Sequence, residues 1–261
     1  MLIVATASSN AFGTVNHGYS TSQAGGGGAG PGMEPTEPFP CGIPTSNTIW
    51  FLYTPVVNGT LTLDTVGSSF DTVLSVYTGP GNAYTNLASV ACNDDIGGGV
   101  SQSAVVFTAA AGTNYWIQVG GKGAAWGTIA LRADLIPTLG LGTTGQIVSA
   151  QAAMSVTNVS EPKPCSVACK YTRWVRLDIA QSGTLTVDTM GSGFDTVLGL
   201  YYGQAELDFS TLGAITCNDN APGSTRSRVT AAIAANSYVW AQVGGKGTVR
   251  GTIKLNYHLA P

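Results

Sequence analysis

The sequence predicts an all-β protein built as two tandem antiparallel β-sandwich domains of jelly-roll-like type. Three observations predict it. Charged residues make up only 10% of the 261-residue chain against 44% hydrophobic, and glycine occurs 35 times, close to twice its usual share of about 7%. Apolar residues recur with a period of two between frequent turn signals. The chain also repeats itself over the length of a whole domain. A long-helix protein would be rich in Glu, Lys and Arg, and a disordered chain would lack apolar residues. A nucleic-acid binder is usually basic, whereas 11 Lys+Arg against 14 Asp+Glu leave a formal charge of −3, so no nucleic-acid partner is expected.

The strands can be read in order. Residues 60–65 alternate, with Leu61 and Leu63 on one side and Thr60, Thr62 and Asp64 on the other, as a half-buried strand does. Residues 70–77 (FDTVLSVY) are apolar on both faces, which suits a central strand. Residues 104–108 and 115–119 supply two more, and 128–132 alternates with Ile129 and Leu131 inward. Asn58-Gly59, GPGN at 79–82, GGG at 97–99 and Gly120-Gly121 read as turns between them. No segment holds a 3.6-residue period over three turns. No apolar run approaches the roughly 18 residues that a membrane-spanning helix needs, so no membrane span is expected. The opening MLIVA is shorter than a signal-peptide core.

Self-comparison sets the domain organisation. GTLTLDTVGSSFDTVL (59–74) and GTLTVDTMGSGFDTVL (183–198) agree at 13 of 16 positions, at an offset of 124. Trp50 pairs with Trp174, EPFPC (37–41) with EPKPC (161–165), and Cys92-Asn93-Asp94 with Cys217-Asn218-Asp219 after one inserted residue. QVGGKG is identical at 118–123 and 242–247. A period of this length is far longer than a solenoid repeat. The predicted domains are residues 1–136, including an N-terminal extension, and residues 137–261, with the boundary near 136–140.

The five cysteines obey the same symmetry. Cys41 and Cys165 each lie nine residues before a paired Trp, so Cys41–Cys92 and Cys165–Cys217 are the expected disulfides. Such bridges imply an oxidising compartment, here extracellular or cell-surface. Cys169 is left over. It could compete for Cys217 or pair between chains; the expectation is a buried thiol. No CxxC spacing with His partners suggests zinc.

The pattern EP…C…W…SGTLTVDT-GS-FDTVL-Y-G…CND…S…Y…QVGG…G-I-L resembles the bacterial pre-peptidase C-terminal (PPC-like) domain. The resemblance covers about residues 34–133 and 158–257. It implies a β-sandwich module of the kind carried by many secreted bacterial proteins, usually as a non-catalytic appendage. Some related modules bind collagen, carbohydrate or Ca²⁺. Within these 261 residues no catalytic domain is expected beside the modules, which departs from that pattern.

Three sets of residues are candidates for a site. Asp71 with Asn93 and Asp94, mirrored by Asp195 with Asn218 and Asp219, could hold calcium, which takes six to eight oxygen ligands. Alternatively, Asp71 accepts from the turn amides at 67–69 and Asn93-Asp94 forms an Asx turn. Trp126 has no repeat partner and sits in a Gly-rich loop, which makes it the candidate for ligand stacking. Trp50, Trp116, Trp174 and Trp240 occur as repeat pairs and suit the core. The glycine tract at 24–30 has no Gly-Lys-Ser/Thr after it, so it is a linker and not a phosphate loop. The histidines, His17 and His258, are not duplicated. The glutamates are Glu34, Glu37, Glu161 and Glu206, two of them in the duplicated Glu-Pro turn. Catalysis is therefore not expected.

Charge differs between the halves. Residues 1–136 carry two basic and seven acidic residues, net −5, and residues 137–261 carry nine and seven, net +2. Opposed signs favour head-to-tail association. The expected function is a secreted non-catalytic structural protein, a self-assembling subunit of a filament, surface layer or matrix. The alternative is a module that binds carbohydrate (a polysaccharide) or a matrix protein.

Overall fold

The computed structural model describes residues 4–7, 11–15, 36–80, 83–149 and 161–261. The glycine tract, His17 and Glu34 lie outside these residues. The chain divides into two compact units. The first comprises Met1–Ser9, Gly13–Val56 and Thr60–Leu135; the second comprises Asn10–Phe12, Val57–Gly59 and Ile136–Pro261.

The strands of the first part of the chain are β1 (Val4–Ala7), β2 (Ala11–Val15), β3 (Thr45–Tyr53), β4 (Gly59–Asp64), β5 (Thr72–Thr78), β6 (Ala88–Asn93), β7 (Ala104–Ala109), β8 (Tyr115–Lys122) and β9 (Leu131–Leu139). In the first unit one sheet has the order β1-β3-β8-β5-β6, and β4 pairs with β7 and β9 in the other. Phe51, Leu74, Val76 and Ile117 from one sheet meet Leu61, Leu63, Val105 and Leu131 from the other in one core. The sequence explains which strand lies where. β5 is buried over its first six residues, as its two-sided apolar character requires, and β4 is buried at alternate positions.

The second part contains β10 (Thr144–Ser149), β11 (Cys169–Ile179), β12 (Gly183–Asp188), β13 (Thr196–Gly203), β14 (Gly213–Asn218), β15 (Arg228–Ile233), β16 (Ser237–Lys246) and β17 (Ile253–Ala260). The second unit repeats the plan. Its sheets run β14-β13-β16-β11 and β10-β17-β12-β15, with Val175, Leu177 and Val239 facing Leu185, Val187 and Leu255. The fold is an all-β sandwich, as expected.

Two details differ from expectation. Residues 128–132 do not form one ladder strand. The N–H groups of Thr128 and Ala130 go to the side-chain oxygens of Ser69 (2.9 Å) and Ser68 (3.0 Å), so the regular strand starts only at Leu131. The serines of the GSSF turn thus take hydrogen bonds that a neighbouring strand would have made. Not all pairing is antiparallel either. β1 lies parallel to β3, and Thr138 and Leu139 at the end of β9 lie parallel to Asp178 and Ile179 of β11.

Both expected disulfides are present, Cys41–Cys92 and Cys165–Cys217, spanning 51 and 52 residues. Loop-closure entropy assigns each about 4 kcal/mol. The half-cystines Cys41 and Cys165 sit in left-handed backbone, φ 52° and 53°, inside 3-10 turns after the duplicated Glu-Pro. Cys169 stays a buried thiol. It takes the repeat position of Thr45, and both side chains lie against the first glycine of QVGG: a Cβ on Gly244 would stand 2.8 Å from the Cys169 sulfur, and one on Gly120 3.0 Å from Thr45 Cγ2. The second glycine is dictated by backbone, since a Cβ on Gly121 or Gly245 would stand 1.8 or 1.9 Å from the carbonyl oxygen of Ala125 or Val249. Among the described residues no helix is long and apolar enough to cross a membrane.

Candidate functional site

Two polar constellations recur in both units. The first is buried. Glu37, only 8% exposed, points one carboxylate oxygen at three donors: Thr48 Oγ1, Trp50 Nε1 (2.6 Å) and Gln118 Nε2 (3.0 Å). Gln118 also donates to the Pro38 carbonyl (2.8 Å) and accepts from the Tyr77 hydroxyl (3.1 Å). The neighbouring Cys41–Cys92 bridge ties this Glu-Pro segment to β6. In the second unit Tyr201, Gln242 and Pro162 reproduce the chain of bonds. Glu161 there accepts from Thr172 (2.5 Å), while Trp174 Nε1 is buried without a hydrogen-bond partner. This carboxylate holds the fold together; it is spent on internal donors. Sequence reading placed Glu37 in a turn and missed Gln118. The usable signal was an identical Gln inside an otherwise apolar, duplicated strand.

The second constellation lies nearer the surface, where β5 begins and β6 and β8 end. Carboxylate oxygens of Asp71, Asp94 and Asp95 lie within 4.8 Å of one another. Lys122, from QVGGKG, places its ammonium 2.5 Å from Asp94 and 3.7 Å from Asp95. One oxygen each of Asp71 and Asp94 is buried with no hydrogen-bond partner. Burial raises the Asp71 pKa, Lys122 pulls it back, and the charges of Asp95 and Asp94 add to the rise. The hydrogen bond to Asp94 raises the pKa of Lys122. In the second unit Lys246 sits 2.5 Å from Asp219, and Asp195 and Asp219 again keep one buried oxygen each without a partner. Asn220 stands where the first unit has Asp95.

The asparagines of the two expected ligand sets have backbone partners. The side-chain oxygens of Asn93 and Asn218 accept from the backbone N–H of Ala104 (3.0 Å) and Arg228 (3.2 Å), and Asn93 donates to the Asp95 carbonyl. Asp71 does not cap the 67–69 turn; Asp64 accepts from the Val66 amide (3.1 Å), and Asp188 from Met190 (3.0 Å). Asp95, which sequence reading passed over, joins Asp71 and Asp94. Orphaned carboxylate oxygens suit a hard cation such as Ca²⁺. Three carboxylates against one ammonium leave a surplus of two negative charges in the first unit. Asp195 and Asp219 against Lys246 leave one in the second. The first unit's cluster is the better cation site on charge alone.

The aromatic residues divide as their pairing suggests. Trp50 is buried with its ring centroid 5.5 Å from Tyr77 and 5.3 Å from Tyr84. Trp174 makes the matching contacts with Tyr201 (5.3 Å) and Phe209 (5.4 Å). The Trp116 and Trp240 indoles donate to the carbonyls of Gly79 and Gln204. Trp126 is 56% exposed. His258 bonds Thr144 through Nδ1 (2.7 Å).

No protein-family model and no curated protein matches the chain. Among solved structures it is similar to a xanthan lyase of Paenibacillus, at 10% identity, 84% of this chain, 23% of that one and a TM-score of 0.27. It is also similar to the CUB1-EGF-CUB2 domains of rat MASP-1, at 10% identity, 82% and 92% coverage and a TM-score of 0.23. Tripeptidyl peptidase 2 follows, at 9% identity, 81% and 21% coverage and a TM-score of 0.20. The chain thus spans about a quarter of the xanthan lyase. Likenesses at this level assign neither a family nor an activity.

Proposed function

We propose that this chain is a secreted, non-catalytic structural protein whose PPC-like modules self-associate head to tail into an extracellular filament, surface layer or matrix. The observation that carries the reading is charge. The division into units follows the division of charge, net −5 in the first and +2 in the second, although both build the same sandwich. Two units of one fold and opposite sign attract across copies and repel like with like. The two disulfides support an oxidising, extracytoplasmic setting. The buried Glu37 and Glu161 support a non-catalytic role, because their oxygens serve internal donors. Sedimentation velocity and electron microscopy of the full chain test the reading. Multimers that grow with concentration and shrink as salt screens the charges are expected; a monomer at every concentration and low salt refutes it.

A second reading, binding of carbohydrate or a matrix protein, is favoured by the exposed indole of Trp126. Glycan binding by a monomeric chain, lost in Trp126→Ala, would replace the first reading with this one.

A further inference from the structure

In each unit three segments meet at one end of the sandwich. In the first they are residues 64–71, 93–104 and 122–132. The Thr72 N–H donates to the Ser101 carbonyl (3.0 Å), Gln102 Nε2 to the Ser68 carbonyl (3.2 Å) and the Ser69 N–H to the Thr128 carbonyl (3.0 Å). In the second they are residues 188–195, 218–228 and 246–256. The Thr196 N–H donates to the Thr225 carbonyl (3.0 Å), Arg226 Nε to the Ser192 carbonyl (2.7 Å) and the Gly193 N–H to the Thr252 carbonyl (3.2 Å). The backbone scaffold is thus shared, and the side chains it presents are not. The three segments of the first unit hold four acidic and two basic residues, net −2. Those of the second hold three acidic and five basic residues, net +2. Gln102, Ala104, Trp126 and Ala130 of the first are replaced by Arg226, Arg228, Arg250 and Lys254, while Asp95 gives way to Asn220 and Arg132 to Asn256.

The first end is also apolar at its tips. Val66, Ile96, Val100 and Trp126 are exposed by 40–56%. Met190, at the place of Val66, is half-buried, Ala221, at that of Ile96, is buried, and Arg250 stands for Trp126. The shared fold therefore does not require exposed apolar tips. Exposed apolar groups gathered on one surface mark a contact, and apolar side chains inside a charged rim are the usual plan of a protein interface. The complementary charge lies on the second unit. Among the described residues Arg226, Arg250 and Lys254 make no ion pair with a carboxylate, whereas the first end keeps a surplus of carboxylates around Asp71, Asp94 and Asp95. Like ends repel and unlike ends attract. We propose that this end of the first unit docks on the corresponding end of the second unit of another copy. The proposal rests on the self-association reading and names its contact. The contact joins two different surfaces, so every added copy leaves one acidic and one basic end open, and the assembly grows head to tail.

The test is sedimentation velocity of full-length variants in EDTA at low salt. Arg250→Glu with Lys254→Glu takes the basic end from +2 to −2. Asp95→Lys with Ala124→Lys, at two exposed positions, takes the acidic end from −2 to +1. Each double variant then carries two ends of like sign and is expected to stay monomeric where the wild-type chain forms multimers. Mixing the two is expected to restore multimers, because one offers only acidic ends and the other only basic ones. A third variant, Trp126→Ser, keeps the charge and is expected to weaken association about tenfold, as the loss of an interface tryptophan does. Circular dichroism checks that all three keep the fold. Multimers that persist in either double variant, fail to return on mixing, or are undiminished in Trp126→Ser overturn this contact and leave self-association standing. A wild-type chain that stays monomeric overturns both.

Discussion

Replacing Glu37 and Glu161 by Ala, one at a time, compares the same residue of the same motif in two environments. Both carboxylates are buried, so the relief of desolvating a charge and the cavity left behind enter both variants and largely cancel in the comparison. The hydrogen bonds do not cancel. Glu37 serves Thr48, Trp50 and Gln118, whereas Glu161 serves Thr172. Gln118 keeps its bond to the Pro38 carbonyl when Glu37 is lost, but the Trp50 indole N–H is left buried and unmatched. Trp174 already is so in the native second unit. A hydrogen bond to a charged group is worth about 1.5–3 kcal/mol, and a stranded buried donor costs about 1–3 kcal/mol. Two additional donors therefore make Glu37→Ala costlier than Glu161→Ala by about 3 kcal/mol. Urea unfolding with the disulfides intact, followed by tryptophan fluorescence, measures it. Equal losses, or a larger loss for Glu161→Ala, would refute the reading of this network as an asymmetric lock.

Three further outcomes are expected. Calcium should raise the unfolding midpoint, by about 1.4 kcal/mol at ten times its dissociation constant, with reversal by EDTA and loss in Asp95→Asn; a midpoint indifferent to both calcium and EDTA removes the cation reading. Asp71 has a folded pKa above its usual 3.8, so its contribution is full below that value and is lost as pH rises through the folded pKa. Asp71→Asn, measured in EDTA, should accordingly stabilise the protein at pH 7 and make no difference at pH 3.5; destabilisation at pH 7 would contradict the charge surplus. Burial, then the charges of Asp219 and Glu161, push the Cys169 thiol up to about 11, which leaves about one thiolate in a thousand at pH 8. One thiol should react with Ellman's reagent after denaturation and none before it, and rapid labelling of the native protein would show that the site is open.

Local pattern carried much of the architecture. The period of two in β4 and the two-sided apolar run of β5 can each be read within a few residues, because side-chain alternation is a property of the strand itself. The duplication then supplied the cysteine partners without any structure, since one symmetry had to satisfy both copies. The 128–130 segment escaped, because its amide hydrogens are satisfied by Ser68 and Ser69 about 60 residues away, and no local pattern reports that. β3 and β6 were not individually read as strands, and the parallel edges depend on which neighbour arrives. The site shows the same division. Asp71 and Asp94 stood out as duplicated acids. That Asp95 and Lys122 share their cluster, and that Gln118 reaches back 81 residues to Glu37, depends on chain folding. Alternation and repetition are one-dimensional properties, whereas the partner of a buried carboxylate or an ammonium is chosen by distance in three dimensions.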